Sequence, residues 1–213
     1  MKKLVACIIF ALLSATHLAA HPHVFAKASV SFDFFGKQCE GFWVEWEFDQ
    51  MFSMSMLQPV DANGNGKLDK AEIPALHDYG FRNLVNYGYF IYIRVGEERF
   101  QPREVEGFTA WTEGNTLTYR FFVPLKDRNI EDDIHVAAFD STFYTSIEYA
   151  EEGIDSNQKM GDAPWPQHER RVNKDYPVYY NPRGTANDFT TYTKMAPGLE
   201  VAWPEEIHVF FVP

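Results

Sequence analysis

The segment from residue 61 to residue 72 restricts the possible folds of this chain more than any other feature. Its oxygen-bearing side chains and glycines follow the order of a calcium-binding loop. It reads Asp-Ala-Asn-Gly-Asn-Gly-Lys-Leu-Asp-Lys-Ala-Glu. Calcium prefers oxygen ligands, which an EF-hand loop supplies from five side chains and one backbone carbonyl, with a glycine at the sharp turn. The residues at the ligand positions are Asp61, Asn63, Asn65, Lys67, Asp69 and Glu72.

Each predicted ligand has its own task in such a loop. Lys67 offers its backbone carbonyl, and Glu72 offers both carboxylate oxygens to the ion. Only Asp61, Asp69 and Glu72 are charged among the side-chain ligands, which favours a modest affinity of about 10⁻⁴–10⁻³ M, typical of extracellular modules. We therefore expect Ca²⁺ to order the segment structurally rather than to act as a signal. The alternative interpretation is an Asn- and Gly-rich turn that binds no metal.

Apolar spacing predicts a helix on each side of this loop. A short helix is expected from about Phe48 to Ser55, stopped before Pro59. After the loop, apolar residues recur at helical spacing from Ile73, which predicts a helix of about four turns that ends at Gly88. The EF-hand insertion would therefore cover about residues 49–87.

The remainder of the chain alternates with the period of two that is typical of strands. Short strands separated by turns favour an antiparallel β-sandwich of the immunoglobulin-like type, mostly β with the helical EF-hand as its insertion. Residues 153–197 lack clear periodicity, which predicts a loop or a loosely packed extension. The predicted strands cover residues 23–34, 42–48, 89–95, 103–109, 116–123, 134–139, 144–149 and 206–212.

The first twenty residues have the order of a secretory signal peptide. Lys2 and Lys3 precede an apolar run over residues 4–13, and Ala19 and Ala20 form a small-residue exit. That run is shorter than the about 20 residues needed to span a bilayer, so we expect no stable membrane insertion. Cleavage after Ala20 would leave one periplasmic or secreted domain over residues 21–213. An uncleaved membrane anchor is the alternative interpretation.

The charge balance restricts the partners of this chain. Nineteen basic residues face thirty acidic ones, for a formal net charge of −11, and loss of Lys2 and Lys3 would make it more negative. Nucleic acids and anionic lipid surfaces are recognised by basic patches. The composition therefore predicts no nucleic-acid partner, whereas it is compatible with cations.

Cleavage after Ala20 would place a histidine at the new N-terminus. The α-amine and Nδ1 of His21 can chelate a transition metal together, in a geometry suited to Cu²⁺ and also to Ni²⁺, Co²⁺ or Zn²⁺. His23 is a candidate further ligand. Pro22 has no amide N–H to deprotonate, so a chelate with more distant partners is the better geometry. His135 and Asp140 are the preferred distant candidates. The alternative is that His21 and His23 merely flank a cleavage site and that His135 is a packed polar residue.

Five segments in a fixed order resemble a known bacterial family. They are residues 21–25 (His-Pro-His-Val-Phe), 44–53, 61–72, 88–90 and 139–144. Together they resemble a family of unknown function often labelled a periplasmic component of an uncharacterised ABC-type transport system. In that family the gene often lies near nickel/cobalt-type permeases. The resemblance therefore implies a role in transition-metal handling, with a membrane metal permease or an ABC-type transporter as partner.

The sequence leaves three functions open. The first is a calcium-binding accessory for transition-metal handling or transport, which the resemblance favours. The second is a copper-dependent oxidative enzyme that uses an N-terminal histidine brace, and the third is a calcium-dependent interaction module. No Gly-x-Ser-x-Gly elbow, phosphate loop or His-Glu-x-x-His motif is present, so no catalytic residue is predicted and an enzyme is the less favoured class.

Overall fold

A long β-hairpin opens the described part of the chain. The computed structural model describes residues 22–96, 98–125, 133–142, 144–159, 164–183, 190 and 192–212. Strand β1 (Val24–Phe35) pairs antiparallel with β2 (Gln38–Phe48) across a tight turn. Gly36 takes a φ of +62° in that turn, a conformation in which glycine meets no steric penalty. The strands predicted over residues 23–34 and 42–48 are therefore confirmed, and Gly36 lies in the turn that joins them.

The hairpin lies in a five-stranded sheet that includes β5 (Glu106–Glu113), β6 (Thr116–Pro124) and β8 (Thr145–Gln158). The strand order is β5-β6-β2-β1-β8. The expectation of antiparallel pairing is wrong for one pair, since β1 and β8 run parallel. The physical reason is that the chain crosses over from the other sheet and begins β8 beside the start of β1. At this point the His23 N–H donates to the Tyr144 carbonyl at 2.9 Å.

A second five-stranded sheet is antiparallel throughout. It contains β3 (Ile91–Val95), β4 (Glu98–Phe100), β7 (Ile134–Ala138), β9 (Gln167–Val172) and β12 (Glu205–Phe210). The strand order is β4-β3-β7-β12-β9. Strands β10 (Val178–Tyr180) and β11 (Glu200–Ala202) form a separate antiparallel pair. The described chain is thus mostly β, as predicted.

One hydrophobic core is shared by the two large sheets. Phe34 of β1 meets Phe211 beyond β12 edge to face, with ring centroids 5.3 Å apart. The Ala138 N–H of β7 donates to the Tyr149 hydroxyl of β8 at 2.9 Å. Buried side chains of both sheets belong to the same cluster. The sheets therefore bury their apolar faces together.

The loop predicted to bind calcium lies between β2 and β3, with a helix on each side. Helix α1 (Gln50–Leu57) begins at Asp49, whose Oδ1 accepts from the Phe52 N–H and whose Oδ2 accepts from the Phe25 N–H, both at 2.9 Å. Asp49 therefore caps α1 and fastens it to β1.

Among the described residues, no helix has the length and apolar character needed to cross a membrane.

The helical segment after the loop is less regular than predicted. It consists of α2 (Ile73–Leu76), a π-helical turn (His77–Phe81) and a 3₁₀ segment (Arg82–Phe90). The expectation of a regular four-turn α-helix is therefore wrong. Tyr89 and Phe90 have φ values of +52° and +54°, which breaks the helix in a way that apolar spacing cannot indicate.

The expectation of an irregular segment over residues 153–197 is also wrong in part. Strand β8 continues through Gln158, and β9 pairs antiparallel with β12. All six residues of β9 are exposed, so no apolar alternation marks this strand. It is joined to the sheet by backbone hydrogen bonds, which leave no trace in the residue pattern.

Candidate metal sites

The first half of the loop is wound around the Asp61 carboxylate. Its Oδ1 accepts from the Asn65 N–H at 3.1 Å, and its Oδ2 accepts from the Gly66 N–H at 2.8 Å. Gly64 and Gly66 have φ values of +70° and +72°, in the left-handed region that glycine tolerates best. The two glycines thus allow the chain to turn tightly enough for successive side chains to point inward.

Two predicted ligands converge on a carboxylate oxygen of a third. Asp69 Oδ2 accepts from Asn63 Nδ2 at 2.7 Å and from Asn65 Nδ2 at 3.1 Å. The Asn63 amide oxygen accepts from the Asn65 N–H at 2.9 Å, and the Asn65 amide oxygen accepts from the Lys67 N–H at 2.8 Å, so backbone hydrogen bonds hold both side chains beside Asp69. The side chains at the third, fifth and ninth loop positions therefore share one centre.

Glu72 closes the loop by joining its two ends. Glu72 Oε1 accepts from the Ala62 N–H at 2.8 Å, and Oε2 accepts from the Asp69 N–H at 2.9 Å. The Glu72 side chain is buried. Both of these contacts are with neutral backbone N–H groups. A buried carboxylate is costly unless it is paired or binds a cation.

The chemistry of the donor set fits a hard cation. Within the described residues there is no group of three or more His, Cys, Asp and Glu side chains placed to hold a metal ion. The loop instead mixes three carboxylates with two amides and the Lys67 carbonyl, and these oxygens are the ligands that Ca²⁺ takes. Soft thiolate and imidazole ligands, which select transition metals, lie outside the loop.

The loop is attached to both the sheet and the core. The Leu68 N–H lies 3.4 Å from the Thr112 hydroxyl of β5, and the Leu68 side chain packs against the core. Further along the chain, Phe81 packs against Phe108, with tilted rings whose centroids are 4.1 Å apart. Thr112 was not predicted as a contact, because residues 44 positions apart in sequence give no local signal of their contact.

The proposed N-terminal site lies only partly in the described structure. His21 lies outside the described residues. The His23 imidazole is exposed and lies 5.2 Å from the Tyr144 ring, centroid to centroid. Its backbone is held to the start of β8 by the bond to the Tyr144 carbonyl described above. The His23 side chain is therefore accessible at a fixed point of the fold.

His135 lies in a buried cluster of the second sheet. The register of β7 and β12 places it directly opposite His208, and the two rings stack with centroids 4.3 Å apart. Glu206 Oε2 lies 2.8 Å from Arg94 Nη2 and 3.7 Å from His135 Nδ1. Arg171 Nη2 is 3.4 Å from the same His135 nitrogen. These contacts join His135 to His208, Glu206 and two arginines.

Burial and hydrogen bonds together set the protonation states in this cluster. Burial, together with the positive charge of Arg94, lowers the pKa of His135 from 6.5 to about 4. Burial alone would raise the pKa of Glu206, but hydrogen bonds from Arg94 and Asn173 outweigh it and hold the pKa below its usual range. A neutral His135 ring therefore lies beside a buried Arg94–Glu206 ion pair.

Asp140 has a local role at the entry to β8. Its Oδ1 accepts from the Thr142 N–H at 2.8 Å and from the Thr142 hydroxyl at 2.7 Å. Its Oδ2 accepts from the Thr145 N–H at 2.9 Å. Asp140 thus fixes the turn that carries Tyr144, which is the contact of His23, whereas the contacts of His135 lie in the second sheet.

Two comparisons place the chain among known proteins. A family model described as "Protein of unknown function (DUF1007)" matches residues 6–210. A protein of Spirochaeta aurantia, described as an uncharacterized 15.5 kDa protein in the trpE 3' region, is 36% identical over 99 residues. That alignment covers 46% of this chain and 71% of the relative. Neither description names an activity or a ligand.

Proposed function

We propose that this chain, which belongs to the DUF1007 family of proteins of unknown function, is an exported protein that binds one Ca²⁺ ion in the loop of residues 61–72. The observation that carries the proposal is the convergence of Asn63 and Asn65 on Asp69 Oδ2. The bridging position of the buried Glu72 carboxylate supports it, because that residue would supply two oxygens to the same ion.

The ion would serve the fold rather than a switch. The loop connects β2 of one sheet to β3 of the other through helices that pack on the shared core. Its carboxylates repel one another without a cation, and this repulsion opposes closure of the loop. Calcium would therefore order the connection between the sheets.

We propose that the sheets form an immunoglobulin-like sandwich, which their common core supports, with β1–β8 as a parallel exception.

Calorimetric titration of the purified protein tests calcium binding directly. We expect one site with a Kd of about 10⁻⁴–10⁻³ M. Glu72→Gln should weaken binding at least about tenfold, since it removes the charge of the bidentate ligand. Glu151→Gln is the matched control, because Glu151 is exposed on β8, at the opposite edge of the sheet from β5. Equal affinities for the wild type and Glu72→Gln would refute the proposed site.

A second proposal concerns the N-terminus of the exported chain in the periplasm. His21 and His23 would bind Cu²⁺, Ni²⁺, Co²⁺ or Zn²⁺, and the chain would act as an accessory to a membrane metal permease or an ABC-type transporter. The exposed imidazole of His23, held beside Tyr144, supports this proposal because it leaves a nitrogen ligand open to solvent. His135 and Asp140 are weaker candidates, since their side chains already contact other groups.

The N-terminal chelate requires cleavage after Ala20. Mass spectrometry of exported protein should show a chain that begins at His21. A version with one extra residue before His21 should bind Cu²⁺ or Ni²⁺ at least about tenfold more weakly, because its α-amine is displaced from the chelate. The control is a His168→Gln variant with the native terminus, because His168 is exposed on β9. Equal affinity of the two chain starts would exclude the chelate.

Activity assays on the purified protein and metal analysis of cells distinguish a transport accessory from an enzyme. A copper enzyme with a histidine brace would oxidise a substrate in the presence of reductant and peroxide, and His21→Ala would abolish turnover. An accessory for metal handling would instead change the nickel, cobalt, zinc or copper content of cells when its gene is removed. An interaction module would do neither and would bind its partner only with calcium present.

A further inference from the structure

A cavity of about 190 Å³ lies between the first sheet and the helical segments on either side of the loop. Its walls come from β1, β2, β6 and β8, from α1 and from the segment that contains the π-helical turn. Among the described residues that line it, none belongs to the loop 61–72. An inference about this cavity therefore goes beyond calcium binding.

Four aromatic side chains of the lining keep part of their surface open to solvent. Tyr144, just before β8, is 38% exposed, and the other three are half-buried. The rings of Tyr87 and Phe90 are neighbours, with centroids 5.7 Å apart. A ligand that enters from solvent therefore meets aromatic rings first. This aromatic wall consists of Phe52, Tyr87, Phe90 and Tyr144.

One carboxylate gives the cavity a negative potential. Asp140 is the charged residue of the described lining, and it is only 2% exposed. It accepts from the N–H and hydroxyl groups of Thr142 and from the Thr145 N–H. These donors are neutral, so they stabilise the carboxylate without cancelling its charge. Little solvent screens a buried charge, and Asp140 therefore favours a cation in the cavity without touching it.

The lining restricts the kind of cation that the cavity can hold. A metal ion needs several oxygen ligands, and a primary ammonium needs acceptors for its N–H groups. The aromatic wall offers mainly rings, and the Asp140 carboxylate already accepts three hydrogen bonds. A quaternary ammonium has no N–H to satisfy, and aromatic rings attract it through cation–π contacts. An engineered apolar cavity of about 150 Å³ accommodates benzene, so the volume here has room for a trimethylammonium group, which is of similar bulk.

We propose that the cavity binds a trimethylammonium group, with its methyl groups against the aromatic wall and its charge in the field of the buried Asp140 carboxylate. Both a free choline-type solute and the headgroup of a choline lipid carry this group. An anion is repelled by Asp140, and a neutral hydrocarbon of the same shape lacks the cation–π attraction. Water as the sole occupant is the competing outcome.

Two probes of the same shape test this proposal in the purified protein, with the same calcium concentration throughout. Choline carries the trimethylammonium group, and 3,3-dimethylbutan-1-ol has a neutral carbon in place of the nitrogen. We expect choline to bind at least about tenfold more tightly, since cation–π contacts are strongest where water is excluded. The methyl protons of bound choline should show nuclear Overhauser effects to aromatic ring protons.

Sedimentation with vesicles of phosphatidylcholine identifies the source of the group. Protein that sediments with these vesicles, and is released by free choline, recognises the lipid headgroup. Protein that binds choline but stays in the supernatant recognises a free solute. Tighter binding of choline than of the neutral alcohol supports the proposal in either case.

Tyr144→Leu removes the most exposed ring of the aromatic wall and keeps an apolar side chain. It should reduce the preference for choline over the alcohol by about fivefold. Asp140→Asn removes the charge and should also lower this preference, with little change in binding of the alcohol. Tyr79→Leu is the matched control, because Tyr79 is 56% exposed and lies outside the described lining. Equal or tighter binding of the alcohol, binding of neither probe, or an unchanged preference in Tyr144→Leu would overturn the proposal.

Discussion

Calcium at about one hundred times its Kd is expected to raise the free energy of unfolding by about 2.7 kcal/mol, because a ligand that binds only the folded state stabilises it by mass action. For a chain of this size, about 1 kcal/mol shifts the Tm by about 2–4 °C. The expected increase in Tm is therefore about 5–10 °C. It is measured by thermal unfolding in excess calcium and in chelator.

Glu72 should carry a large part of this stabilisation. Its carboxylate accepts from the N–H groups of Ala62 and Asp69, so it joins the start of the loop to the helix that follows. Glu72→Gln, with binding at least about tenfold weaker, should lose about half or more of the calcium-dependent increase in Tm, whereas Glu151→Gln should retain it. Magnesium at the same concentration should have a smaller effect, since it requires near-ideal octahedral geometry at shorter distances.

The outcome against calcium stabilisation is a Tm that is the same in calcium and in chelator. A calcium effect of undiminished size in Glu72→Gln would place the ion elsewhere. Either result would leave the loop as a turn held by its own side-chain hydrogen bonds. The direct titration of calcium shows whether an unchanged Tm reflects the absence of binding or equal binding to the folded and the unfolded chain.

The features predicted well from the sequence are local ones. The side chains of the loop 61–72 are near neighbours in sequence, and Asn63 and Asn65 lie beside Asp69, while their binding of calcium stays a prediction. The first hairpin is equally local, because alternation identifies both strands and Gly36 marks the turn. Such patterns are readable since the interacting residues are near neighbours in the chain.

The features missed depend on contacts between distant residues. The parallel β1–β8 pair joins Val24 to Thr145, and nothing in either strand indicates its partner. Strand β9 has an exposed residue at every position, so it gives no apolar signal. The cluster around His135 requires the register between β7 and β12, which sets His135 opposite His208. Candidate metal partners of a histidine therefore cannot be chosen from sequence alone.

Two buried aromatic side chains show a further limit of sequence reasoning. Trp46 and Tyr119 lie on strands with an alternating pattern and are both buried in the core. Whether an indole N–H or a phenol O–H finds an acceptor depends on atoms supplied by other elements. Among the described residues, neither Trp46 Nε1 nor the Tyr119 hydroxyl has a hydrogen-bond partner. Unpaired donors therefore emerge only from the assembled structure.

Acidification is expected to destabilise the protein through His135 between pH 6.5 and about 4. Burial, with the charges of Arg94 and His208, lowers the pKa of the folded His135 from 6.5 to about 4. In this window the unfolded chain binds a proton that the folded chain does not, so stability falls as pH falls. Each pH unit is worth about 1.4 kcal/mol, which gives a loss of about 3 kcal/mol on reaching pH 4.

Urea unfolding of the wild type and His135→Gln, measured from pH 7.5 to pH 4, checks this result. Protonation of the loop carboxylates affects both proteins alike, so the difference between them isolates His135. That difference should be constant above pH 7 and should shift by about 3 kcal/mol against the wild type by pH 4. His168→Gln removes an exposed histidine of β9 and should follow the wild-type curve. The opposite result is a difference in unfolding free energy between wild type and His135→Gln that stays constant down to pH 4. It would mean that the His135 ring accepts a proton as readily in the folded chain as in the unfolded one. The Arg94–Glu206 pair would then not exclude a charged His135.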